Sequence, residues 1–268
     1  MPTTPVARTD KMIAVKDGAV GWITFNNPAR RNAVSLAMWE ALRDITDDFG
    51  SDELIRVIVL KGAGGKAFVS GADISEFEEQ RATEADVKHY HEVSESATIG
   101  LQDVGKPTIA MIDGYCIGGG VSVALSCDLR IAGEGARFGV PAARLGLGYE
   151  LAGVRKLVDV VGPAFAKEIF FTARQFTAQE ALAMGLVNRV VEQDRLEPQV
   201  CEYAGMIAAN APLTVSSIKT IVGEILKEES RRDDALCQQV VDRCFASEDY
   251  IEGRTAFMQK RAPSFRGR

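Results

Sequence analysis

The chain has 268 residues, long enough to bury a large core as one large domain or as one domain with an appendage. Its net charge of -6 excludes a general electrostatic affinity for nucleic acid or an anionic membrane surface. The five cysteines are odd in number and widely spaced, which excludes a disulfide framework and fits a reducing, cytoplasmic setting.

No C-x-x-C or H-x-x-x-H pair occurs, so metal-ligand spacing is absent, and no apolar run is long enough to span a membrane. In chain order, "KMIAVKDGAVGWITFN" predicts two strands joined at Asp17-Gly18, a strong hairpin signal. Leu36, Trp39, Leu42, Ile45 and Phe49 recur at helical spacing, and "IRVIVLKG" is a β-branched run that predicts a buried strand. "ISEFEEQ" and "EADVKHYHEVSESATIGLQDV" predict helix with a break near Ala82, and "KPTIAMIDGYC" reads as one further buried strand. "DLRIAG", "RFGVP" and "LVNRVV" add short strands.

Gly162-Pro163 separates two helices, and Thr177 followed by Glu180 is a capping-box signature for "AQEALAMG". Everything after Asp194 reads as helix, with Pro212 near one helix start. Alternating strands and helices predict α/β layers over residues 1–194, followed by a helical tail over 195–268 that packs on the core or on another subunit.

Two stretches run from a strand through glycine toward a helix: "DGYCIGGGVSVALSCD" with Gly118, Gly119 and Gly120, and "AFVSGADISEF" with Gly71. Neither "GAGGKA" nor "GYCIGGG" satisfies the Walker or dinucleotide spacing. A tight crossing that tolerates no Cβ atoms accounts for either stretch alone, and a first-turn carboxylate favoured by the helix dipole accounts for Asp73. Together, two such turns can each aim one backbone N–H at a single oxygen, which is an oxyanion hole.

These segments, with "NPARRNAV", "ARFGVPAARLGLG", "FTAQEALAMGLVNRVV" and "ASEDYIEGRTAFMQKRAPSF", resemble the enoyl-CoA hydratase/isomerase family of the crotonase superfamily over nearly the whole chain. The resemblance implies a spiral of β-β-α repeats with a helical C-terminal trimerisation region, assembled as homotrimers or homohexamers. It implies an acyl-CoA substrate, with coenzyme A entering only as part of the thioester, no permanently bound cofactor and no metal. Carried over residue by residue, the oxyanion donors are the N–H groups of Ala72 and Gly119. Arg30, Arg31, Ala33, Asp73 and Ile74 fall at coenzyme A-binding positions, and Phe257 and Lys260 at C-terminal positions that reach coenzyme A on a neighbouring subunit. Ser75 stands where many hydratases carry a lysine.

Both carboxylates of crotonase-type hydration are absent: their positions hold Ser122 and Ala142. A serine hydroxyl is too weak an acid or base near neutral pH to replace a carboxylate unaided. His89 and His91, two apart on a helix, read as surface residues facing different sides. Glu150, among Leu147, Tyr149 and Leu151, lies in a loop where relatives with other chemistry carry their acid/base carboxylate, and its apolar neighbours predict a raised pKa. Tyr149 matches a functional tyrosine of a decarboxylase member. The leading expectation is double-bond isomerisation with Glu150 as the lone base. The alternatives are decarboxylation or C–C cleavage of an acyl-CoA, and a non-catalytic acyl-CoA-binding paralogue.

Overall fold

The computed structural model describes residues 9–73 and 83–268. The expected helix "ISEFEEQ", the break near Ala82, and Ile74 and Ser75 lie outside the described residues. Strands β1 (Met12–Asp17) and β2 (Val20–Phe25) form the expected antiparallel hairpin, with Gly18 at φ 57° in its turn. Helix α1 (Leu36–Ser51) follows, its first turn capped by the Ser35 hydroxyl, which accepts from the Met38 N–H. Then come β3 (Val57–Gly62), β4 (Ala67–Val69), α2 (Glu84–Asp103), β5 (Thr108–Ile112), β6 (Tyr115–Ile117), α3 (Gly119–Ser126), β7 (Leu129–Gly133) and β8 (Arg137–Gly139). The remaining elements are α4 (Ala142–Leu145), α5 (Leu151–Thr172), β9 (Phe176–Thr177), α6 (Ala178–Ala183), β10 (Arg189–Val191), α7 (Leu196–Ala209), α8 (Pro212–Ile225), α9 (Asp234–Phe245) and α10 (Glu248–Met258).

Two sheets result, one ordered β1-β2-β3-β5-β7-β10 and one ordered β4-β6-β8-β9. Successive turns of chain place one strand in each sheet, β3 then β4, β5 then β6, β7 then β8, and these neighbours pair in parallel. The chain is therefore a spiral of β-β-α turns. Glycine makes the step between sheets possible. A Cβ on Gly114, at φ 67°, would lie 2.1 Å from the Lys66 carbonyl oxygen, so the run "KPTIAMIDGYC" breaks into β5 and β6 instead of forming one strand.

The central strands are buried on both faces, as parallel strands must be when helices cover them. Along β3, Ile58 and Leu60 join the main core with α1 and the second sheet. Val57 and Val59 face the other way, onto Leu196, Val200 and Ala204 of α7. Helix α5 breaks at Gly162 (φ 73°), immediately before Pro163, and α6 opens on the Thr177–Glu180 capping box. The tail is not helical throughout: beyond Met258 the chain turns at Lys260 and ends in non-helical backbone. All five cysteines are free, and among the described residues no helix is long and apolar enough to cross a membrane.

Candidate active site

The N-terminal wall of the site begins at the loop joining β2 to α1. Asn32, fully buried at φ 56°, accepts from the Asn27 N–H and donates through its amide to the Ala63 and Ala67 carbonyls. Asn27 in turn donates to the Ala33 carbonyl at 3.1 Å, so Ala33 is fixed and buried. This loop is bound to the chain leaving β4: Ser70 N–H donates to the Arg31 carbonyl, Val34 N–H to the Gly71 carbonyl, and Asp73 N–H to the Val34 carbonyl. That bridge alternates past Ala72, whose N–H makes no hydrogen bond among the described residues.

The second wall is the start of α3. Gly118 takes a backbone that glycine tolerates best (φ 54°, ψ -112°), and Gly119 is the first helical residue. Its N–H, like that of any residue in the first turn, has no partner within the helix, and it finds none among the described residues. The two turns touch: a Cβ on Gly119 would lie 3.7 Å from Gly71 Cα and carbonyl carbon. At Gly120 the approach is closer still, since a Cβ there would meet the Val69 carbonyl oxygen at 2.1 Å.

Ala72 and Gly119 line one cavity of about 380 Å³. Tyr149 and Glu150 line the same cavity from the loop before α5, and Ser122 of α3 and Ala142 of α4, the positions where the hydratase carboxylates are absent, line it as well. Four sequence-predicted residues thus converge. Arg30 and Asp73 stand beside it, with 3.7 Å between guanidinium and carboxylate, Asp73 being buried. The exposed Arg31 places its guanidinium 5.0 Å from the centre of the Tyr115 ring. Phe257, 82% exposed, and Lys260 do not line this cavity.

Two expectations change here. Glu150 is not enclosed by its apolar neighbours: its side chain is 67% exposed, and Leu147 and Leu151 also face solvent. Nor is His91 merely a surface group. It lines the cavity, with Nδ1 3.5 Å from Glu150 Oε1. The missed signal was a polar stripe on α2, His91, Ser94, Glu95 and Thr98, at the three- and four-residue spacing of one helix face, all four lining the cavity. Trp39 forms another part of the wall, its indole N–H donating to the Tyr90 hydroxyl at 2.8 Å. Tyr149 packs edge-on against Phe170 with centroids 4.9 Å apart, and burial pushes its phenol pKa up.

Two backbone donors unengaged among the described residues, with a carboxylate and an imidazole lining the same cavity, can accept a developing oxyanion and move a proton. With the two sheets and the winding that builds them, this places the molecule in the crotonase superfamily. The family model for enoyl-CoA hydratase/isomerase matches residues 16–268. The chain is 34% identical to the short-chain-enoyl-CoA hydratase of Clostridium acetobutylicum, covering 94% of this chain and 96% of that protein. It is 35% identical to the carnitinyl-CoA dehydratase of Proteus mirabilis, again over 94% and 96%. Among solved structures, an enoyl-CoA hydratase/carnithine racemase from Magnetospirillum magneticum superposes with a TM-score of 0.92 at 35% identity, covering 99% of each chain. The chain belongs to the enoyl-CoA hydratase/isomerase family.

Proposed function

We propose that the protein is an acyl-CoA isomerase that moves a double bond through an enolate. One observation carries this reading: Ala72, Gly119 and Glu150 line one cavity, while Ser122 and Ala142 leave it without the two carboxylates that hydration uses. The thioester oxygen sits between the N–H groups of Ala72 and Gly119. Glu150 takes a proton from the acyl chain and returns it to another carbon, with His91 holding or sharing that proton. Arg30, Arg31 and Ala33 on the loop before α1, with Asp73 on the chain after β4, bind the coenzyme A portion.

The relatives' names favour a second reading, hydration, in which the His91–Glu150 pair activates water. Product analysis separates the two. A β,γ-enoyl-CoA should be converted to the α,β-isomer faster than an α,β-enoyl-CoA gains water. The opposite order would establish hydration, release of carbon dioxide from a 2-carboxyacyl-CoA would establish the decarboxylase reading, and thioester binding without turnover would establish a non-catalytic paralogue.

The C-terminal elements also support assembly. Phe245, Ile251, Phe257 and Met258 are 61%, 65%, 82% and 80% exposed in the protomer. An open apolar cavity of about 610 Å³ lies among Leu213, Val241, Phe245, Tyr250, Phe257 and Phe265. So large an apolar surface fits a subunit interface, and we assign it to a trimer or a dimer of trimers in which Phe257 and Lys260 reach a neighbour's coenzyme A.

A further inference from the structure

The cavity is lined by one cationic residue, among the described residues, that none of the chemistry above uses. Lys156 lies on α5 one helical turn beyond Ala152 and Gly153, which line the same wall. Its ammonium donates to Ser126 Oγ at 3.1 Å, and Ser126 donates to the Ser122 carbonyl at 3.0 Å. Lys156 is therefore tied to α3 two turns past Gly119, about 10 Å along the helix axis from the first-turn donor.

An ammonium has three donors, and among the described residues this one uses one of them, toward Ser126. Among the described residues no carboxylate lies within ion-pair distance of it. Burial holds the Lys156 pKa below its ordinary value in spite of the longer-range attraction of Asp103 and Glu95. Among the described residues the carboxylates lining the cavity are those of Glu95 and Glu150; both residues are solvent-exposed, and Glu150 is beside His91. Ile99, Leu145 and Tyr149 supply walls for methylene groups between the two ends. A purely hydrocarbon acyl tail filling this space would strip water from the ammonium and offer nothing in return.

We propose that Lys156 is a specificity residue that recognises a carboxylate at the far end of the acyl group, so that the substrate class is a short dicarboxylic acyl-CoA. This rests on the reading of the cavity as the acyl-CoA site. The thioester carbonyl occupies the Ala72–Gly119 end, the distal carboxylate accepts the free donors of Lys156, and the chain between them sets the length.

Calorimetric binding of two saturated thioesters to the purified protein tests this without turnover. Glutaryl-CoA and pentanoyl-CoA have the same carbon count and differ in the terminal carboxylate. Glutaryl-CoA should bind at least about tenfold more tightly, the low end for a charge-assisted hydrogen bond. Lys156→Met, or Lys156→Gln should the first variant not fold, should remove that preference and leave pentanoyl-CoA binding unweakened. Equal affinities in the parent, tighter pentanoyl-CoA binding, or a preference that survives in either folded variant would overturn the proposal. Failure of both thioesters to bind would instead overturn the acyl-CoA reading of the cavity, and the role of Lys156 with it.

Discussion

Substitutions at Gly119 isolate one backbone donor from everything around it. Gly119 is the first residue of α3, a position proline occupies readily because the N–H there has no helical partner. A Cβ at this position would make ordinary contacts, 3.7 Å from Gly71 Cα and from Trp39 Cζ2. Gly119→Ala therefore keeps the N–H and the packing, whereas Gly119→Pro keeps the helix start and loses the N–H. Loss of one oxyanion donor costs about 2.7–4 kcal/mol, or roughly a hundred- to a thousandfold in kcat. The proline variant should fall below the alanine variant by that factor in β,γ-enoyl-CoA isomerisation. Thermal melting of both variants controls for strain passed to Gly118, whose φ of 54° and ψ of -112° precede the ring. A folded Gly119→Pro protein with the kcat of Gly119→Ala would refute the assignment of this donor.

Gly120→Ala probes the crossing beneath the site. Its Cβ would lie 2.1 Å from a backbone oxygen of β4 that has no rotamer to change, so the variant should lose about 1–3 kcal/mol or more and melt at a lower temperature. An unchanged melting temperature would contradict the close approach. Light scattering at micromolar concentration should give the mass of a trimer or a multiple of it, and a monomer would contradict the assignment of the exposed C-terminal apolar face.

Local rules made much of this fold legible. The Asp17-Gly18 hairpin, the Gly162-Pro163 break, the Thr177–Glu180 box and Pro212 at the start of α8 each follow from residues within a few positions of one another. The split of "KPTIAMIDGYC" was not legible, because hydropathy runs across it and the cause is a distant contact with Lys66. Nor was β9, whose two residues carry too little pattern to register. At the site, the paired glycine turns pointed to the approach of Gly71 to Gly119, which leaves Ala72 and Gly119 lining one cavity. The exposure of Glu150 did not follow from its apolar neighbours, because Leu147 and Leu151 turn outward with it. His91 and Lys156 were hidden for a related reason. Each is an ordinary polar position on an amphipathic helix until the other helices close a cavity around it.

The central claim is that this cavity forms an enolate from an acyl-CoA thioester with Glu150 as the base. Exchange of the α-proton of a β,γ-enoyl-CoA in deuterated water, followed by NMR in the parent and in Glu150→Gln, measures that step directly. The parent should incorporate deuterium, and the variant should do so about a hundredfold or more slowly, the share of a positioned base, while binding the thioester equally well. Exchange at the parental rate in a folded Glu150→Gln protein would contradict the account.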